Sequence, residues 1–211
     1  MQKQEKISNY FSSVSLITNT YYKKFFSKYI DKKFKILDFG CGSGELLDLI
    51  DCKFKIGVEI NKYSQKKLKN KNLMFVDKLE KIDKKIKFDT IFCLSVLDHL
   101  DDPLSTLKKI KDRLKKNGKL IVIIRNDSRR QNIKNSIYKN HLYSWSLLSF
   151  NNLINNIGIK SIDEGMLRFT LPPRFNFLNK NLKKKIILFL SKIYFYINFR
   201  DIRFYFICQK K

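Results

Sequence analysis

The sequence predicts an α/β fold, a parallel sheet wrapped by helices, and three observations carry that expectation. Short apolar runs alternate along the chain with amphipathic stretches of helical period. The first such run, "ILDF", enters a turn with glycine at three alternate positions and leaves it as an apolar helix start. The 211 residues are 44% hydrophobic and 14% aromatic, enough for one core without a disulfide or metal staple.

Taken in order, residues 7–30 read as one or two amphipathic helices that cover the sheet edge or the ligand cleft. Strands are predicted at 34–39, 54–60, 73–77, 88–94, 118–125, 158–164 and 203–209. Helices are predicted at Glu45–Asp51, Lys62–Asn70, Leu104–Lys115, Trp145–Asn156 and Leu182–Ile197. "KKNGK" (115–119) reads as a helix stop, with lysines facing the negative helix end and an Asn-Gly turn behind them. No repeat or low-complexity linker interrupts the pattern, so residues 1–211 are expected to form a single domain. Its parts are a helical cap (1–33), a ligand-binding half (34–125) and a second half (126–211) with a basic helix and the last strand.

Composition limits the class. The opening residues lack the apolar core of a secretory signal, so a cytoplasmic protein is expected. Cys41, Cys52, Cys93 and Cys208 are scattered with no CxxC pair, which favours buried reduced thiols over a metal site. The formal charge of +25 invites a polyanion. A chain with no alanine and an abundance of Lys, Asn, Ile, Phe and Tyr is also what an AT-rich genome writes. Composition bias is the better account of most of that charge.

Gly40, Gly42 and Gly44 let the backbone bend sharply and let a ligand approach the peptide units. A dinucleotide fingerprint would place its third glycine at position 45, where this chain has Glu45. A carboxylate there would repel a pyrophosphate and tolerate a cationic ligand without phosphate. Asp38 ends the first strand and Glu59 the second, 21 residues on, close to the spacing at which an acid meets ribose hydroxyls.

"LDFGCGSG", "GVEI", "FDTIFCLSVLDHLDDP" and "LKKNGKLIVII" stand in the order and spacing of motifs in the class I S-adenosylmethionine-dependent methyltransferases, which residues 34–125 therefore resemble. The stretch 141–163 is similar to the helix and strand that close such folds. The resemblance implies a Rossmann-like, doubly wound seven-stranded sheet, mostly parallel with an antiparallel last strand and helices on both faces. It implies S-adenosyl-L-methionine as cofactor, with Asp38 and the loop Gly40, Cys41, Gly42 and Gly44 at the amino acid moiety. Glu59 would take the ribose diol, with Ile60 beside it. Asp77 would meet the adenine amino group, Lys78 and Leu79 would flank the ring, and Leu94 and Ser95 would pass beneath the methionyl part.

Methyl transfer is mainly a matter of aiming the acceptor, worth about 7–11 kcal/mol of barrier, so a general base is an addition rather than a requirement. Histidine is the side chain that ordinarily titrates near neutrality. The chain has two, His99 just past the fourth strand and His141 after the long loop that follows the fifth, and both are candidate catalytic residues. Arg125, Arg129 and Arg130 cluster where an acceptor would enter, in a chain otherwise poor in arginine, and with Tyr143 they are candidate substrate-binding residues. Guanidinium groups suit carboxylate or phosphate, so an anionic small molecule methylated on oxygen is the expected acceptor. The segment "HLYSW" resembles small bacterial members of that family near polysaccharide pathways, and the resemblance implies polysaccharide or secondary-metabolite biosynthesis.

Two other readings stand beside it. An RNA or protein methyltransferase would use the positive charge, yet the Asn/Asp-Pro-Pro-aromatic run of base N-methylation and the Pro-Cys nucleophile of cytosine C5 attack are absent. A non-catalytic protein could keep the fold and bind the cofactor alone. The stretch 182–200 can lie on an anionic membrane or pack on the sheet, and its longest uncharged run is too short to span a bilayer. The oligomeric state is not legible.

Overall fold

In the computed structural model the described residues are 16–126, 141–167 and 202–210. Seven strands run β1 (Lys35–Phe39), β2 (Phe54–Val58), β3 (Phe75–Val76), β4 (Phe88–Leu94), β5 (Leu114–Asn126), β6 (Lys160–Leu167) and β7 (Ile202–Gln209). They form one sheet in the order β3-β2-β1-β4-β5-β7-β6. The first five are parallel, and β7 lies antiparallel between β5 and β6. The helices are α1 (16–25), α2 (Glu45–Leu49), α3 (Lys62–Asn70), α4 (Pro103–Arg113) and α5 (Leu147–Asn156).

The central strands are apolar at successive positions because both faces of the sheet are covered. Leu37, Ile91, Cys93, Leu120, Val122 and Ile124 pack with Leu107 and Ile110 of α4 and with Phe150 and Ile154 of α5. On the opposite face Ile36, Phe92, Ile121 and Ile123 pack with Tyr22 of α1, Phe26 just after it, and Leu46 of α2. Each fully buried Phe or Leu in these layers is worth about 1.5–3 kcal/mol against exposure. Local signals set the helix starts. The Asn61 side chain accepts from the Tyr63 and Ser64 amides, Asp102 accepts from Ser105 ahead of Pro103, and Ser146 forms a reciprocal cap with Ser149.

The segment 16–30 lies on one face of the sheet and reaches its edge strand β6, where Leu167 joins the cluster with Tyr22 and Phe26 and Lys28 is 3.7 Å from Asp163. Phe26 is seated on the sheet face, 6.3 Å between ring centres from both Phe92 and Tyr205, in an aromatic cluster. Several expectations need correction. The stop after α4 comes at Arg113, and β5 starts at once at Leu114, opposite Phe88, before a register shift ahead of Thr90. Asn117 still takes the left-handed conformation (φ 60°) expected of the Asn-Gly turn. Lys115 does not serve the helix end, since its Nζ donates to both oxygens of Asp89 at 2.7 and 2.8 Å. The third strand shrinks to two residues because it has a partner only in β2. Cys41, Cys93 and Cys208 are buried as expected, while Cys52 is half-buried. The helix expected at Leu182–Ile197, and residues 7–15 of the first one, lie outside the described residues. No helix among the described residues is long and apolar enough to cross a membrane.

Candidate functional site

At the carboxyl end of β1 the chain turns across the end of β2. The amides of Gly40 and Cys41 both donate to the Val58 carbonyl, at 2.8 and 3.1 Å, and the Gly44 amide closes the turn on the Cys41 carbonyl at 2.9 Å. Gly40, Gly42 and Gly44 all have positive φ (76°, 55° and 75°). A side chain on Gly40 would meet Val96 Cγ2 at 2.3 Å, so this glycine is what lets the turn after β4 close against the turn after β1. Around Gly42 the space is open.

Glu59, at the end of β2, crosses to that loop. Its Oε2 accepts from the Gly42 amide at 2.8 Å and its Oε1 from the Asn61 amide at 2.7 Å. Gln65 Nε2 donates to its carbonyl at 2.6 Å. Asp38, Glu45 and Glu59 are 4%, 7% and 9% exposed, three carboxylates around one loop. Among the described residues Lys71 answers them, its Nζ 3.7 Å from Glu45 Oε1. Burial, with the nearby charges of Glu59 and then Glu45, pushes the Asp38 carboxyl up to about 7. An arrangement so rich in negative charge suits a cation and disfavours a phosphate.

The other ligand-side candidates are distributed as follows. The Cys41 thiol is turned inward, into the room that Gly57 leaves by having no side chain, so Cys41 offers the loop only its peptide. Burial pushes that thiol up. Ile60 is 75% exposed beside Glu59. The Asp77 carboxylate pairs with Lys81 at 2.8 Å, and that ammonium holds it below the usual carboxylate range. Lys78 is exposed, whereas Leu79 is buried in the core and cannot flank a ring. Leu94 ends β4, and Ser95 takes a left-handed conformation (φ 56°) with its amide donating to the Ile123 carbonyl at 2.8 Å.

At the carboxyl ends of β4 and β5, residues 141–145 form a strap over the turn that follows β4. The Asp98 carbonyl accepts from the Leu142 and Tyr143 amides at 2.7 and 3.3 Å, and the Trp145 amide reaches the Arg125 carbonyl at 3.4 Å. The Tyr143 hydroxyl donates to the Asp101 carbonyl at 2.9 Å. Tyr143 stacks on Trp145, which meets Phe150 edge-on. The strap thus brings His141 against His99, 4.5 Å between ring centres and near perpendicular. His99, His141, Tyr143 and Arg125 are drawn together at the carboxyl edge of β4 and β5, whereas Arg129 and Arg130 lie outside the described residues. Sequence reasoning missed Asn61, whose amide holds Glu59.

Residues 19–164 match a family model described as Methyltransferase domain. Among curated proteins, a tRNA U34 carboxymethyltransferase of Campylobacter fetus subsp. fetus (strain 82-40) is 54% identical over 37 residues, 18% of this chain and 13% of that protein. A ubiquinone biosynthesis O-methyltransferase of Pelagibacter ubique (strain HTCC1062) is 27% identical over 124 residues, 54% of this chain and 51% of that protein. The chain thus covers about half of one relative's length and a small part of the other's. The crystal structure of a SAM dependent methyltransferase from Archaeoglobus fulgidus shares the fold, with TM-score 0.60 at 18% identity over 89% of this chain and 91% of that one.

Proposed function

The chain belongs to the methyltransferase-domain family, and from that premise we propose that it transfers a methyl group from S-adenosylmethionine to an oxygen of an anionic small molecule. The carrying observation is the Gly42–Glu59 contact, which fixes a carboxylate beside an open glycine peptide where β1 and β2 end.

The residues present fit the family's methyl donor. A sulfonium nucleoside carries positive charge and no phosphate, and three buried carboxylates surround the loop that would receive it. Glu59 would hold the ribose diol, Asp38 and the Gly40–Gly44 peptides the amino acid part, and Ile60, Asp77 and Lys78 the adenine. Leu94 and Ser95 would support the methionyl segment. When bound, the donor supplies an activated methyl group that needs no further acid catalysis. What this chain's residues add is orientation of the acceptor and removal of its proton. His141, set by the strap and braced by His99, would accept the hydroxyl proton on a ring nitrogen, an effect worth about 100-fold to 10,000-fold.

A second reading has specific support. The 37-residue likeness to a tRNA-modifying enzyme, together with a charge of +25, favours RNA as acceptor. The deciding measurements are calorimetry with S-adenosylmethionine and S-adenosylhomocysteine, followed by methyl incorporation into phosphorylated and carboxylated metabolites and into bulk RNA. Cofactor binding with metabolite labelling supports the first reading. Salt-sensitive labelling of RNA alone would replace it with the second, and cofactor binding without any turnover would leave a non-catalytic binder.

A further inference from the structure

We propose that Arg113 is a positioning residue for the methyl donor, holding the segment that sets Asp77 and Lys78 beside the adenine, which rests on the donor-side reading above. Arg113 closes α4 and is buried, 7% exposed. Its Nη1 donates to the Asp83 carbonyl at 2.7 Å, and its Nη2 donates to the Ile82 and Leu79 carbonyls at 2.9 and 3.2 Å. All three acceptors lie in the segment 79–83, which opens with the 3₁₀ turn Leu79–Lys81. A buried charge is costly unless it is hydrogen-bonded, and here the acceptors are peptide carbonyls. What the guanidinium fixes is therefore the path of a loop.

That loop needs an anchor because the sheet supplies little. β3 pairs only Phe75 with Gly57 and Val76 with Val58 of β2, so the ladder stops just before Asp77. Leu79 and Ile82 bury their side chains in the core, but apolar contact is non-directional. Three hydrogen bonds from one planar fork fix the rotation of the segment as well as its depth. One turn earlier on α4, Lys109 pairs with Glu80 at 2.7 Å, an exposed ion pair of small value on its own. The last link is Lys81, which belongs to the anchored turn and holds the Asp77 carboxylate at 2.8 Å. Contacts thus run without a break from Arg113 through the turn to the acid proposed to meet the adenine amino group.

The test is calorimetry on the full chain with S-adenosylhomocysteine and with S-inosylhomocysteine, whose base carries an oxygen in place of the adenine amino group. Wild type is expected to prefer the adenosyl compound at least about tenfold, the effect of one hydrogen bond to a charged group. R113K keeps the charge but loses the fork, and R113Q removes the buried charge while keeping an NH2 donor. In each the preference should shrink to about threefold or less. A K111Q control, which removes the bond from Lys111 Nζ of α4 to the Ile157 carbonyl, should keep the wild-type preference. A merely structural role for Arg113 lowers Tm without moving the ratio between the two compounds. An unchanged ratio in either folded arginine variant, an equal loss in K111Q, or failure of both arginine variants to fold would overturn the assignment. Equal binding of both compounds by wild type also overturns it, since Asp77 then does not read the base, and leaves the donor reading intact. That reading fails, and this assignment with it, if wild type binds neither compound.

Discussion

Glu59 and Gly42 are joined by a 2.8 Å bond from the glycine amide to the carboxylate, so the acid expected to grip a sugar also sets the shape of the loop opposite. The second oxygen is held by Asn61, the cap of α3, which makes one carboxylate the link between the β1 and β2 turns. Replacing Glu59 with Gln keeps the shape but puts an NH2 against an amide N–H. A hydrogen bond to a charged group is worth about 1.5–3 kcal/mol. E59Q is therefore expected to bind S-adenosylhomocysteine at least about tenfold more weakly by calorimetry, and affinity within twofold of wild type would refute the dual role.

Two glycines of one loop should respond differently to alanine. In G40A the new Cβ meets Val96 at 2.3 Å and φ is 76°, so strain and clash add, and stability should fall by about 2 kcal/mol or more. In G42A there is no clash, only the left-handed penalty of about 1–2 kcal/mol, but the methyl group occupies the open side of the loop. G42A should fold with a modest loss in Tm and lose most of its cofactor affinity. If G42A binds as wild type does, the open space beside Gly42 is not the ligand's.

The acid cluster gives a pH dependence of definite sign. Asp38 is raised from 3.8 to about 7, first by burial, then by Glu59 and Glu45, with Lys71 on the far side of Glu45. Between those pH values the folded chain holds a proton that the unfolded chain has lost. This group's contribution is fully present below about pH 4 and is lost as pH rises through about 7. A cationic ligand prefers the ionised acid, so binding should release a proton and tighten as pH rises through 7. Tm of the ligand-free protein from pH 5 to 8, and calorimetry in buffers of different ionisation enthalpy, check both halves. D38N should abolish the proton release, and an unchanged release in D38N would show that another group is responsible.

What was legible followed from local chemistry. α3 runs Lys62–Asn70 and β4 runs Phe88–Leu94 as expected, the first because Asn61 caps it, the second because an apolar run of that length between turns has few alternatives. The glycine turn was equally plain, since its conformation is written in its own residues. What was not legible lies where distant segments decide. α1 lies on the sheet face because Phe26 finds Phe92 and Tyr205, and nothing near Phe26 in the chain announces that. β5 begins at Leu114 because Phe88 offers it a partner. Arg203 meets Arg125 only because β7 inserts between β5 and β6, a register that no short window contains.

The strap makes the last prediction a graded one. Tyr143 fastens residues 141–145 to the turn after β4 through the Asp101 carbonyl, in addition to the two amides on Asp98. Removing its hydroxyl in Y143F takes away one neutral hydrogen bond, about 0.5–1.5 kcal/mol, and leaves the ring stacked on Trp145. His141 would remain present but less firmly held, so kcat should fall by no more than about tenfold. H141A removes the proposed base itself, and at saturating acceptor kcat should drop by about 100-fold or more while S-adenosylhomocysteine affinity is unchanged. A base acting through the strap requires that order of effects. Near-normal turnover in H141A would remove His141 from proton transfer, and a larger loss in Y143F than in H141A would make the strap a structural brace for the acceptor pocket instead.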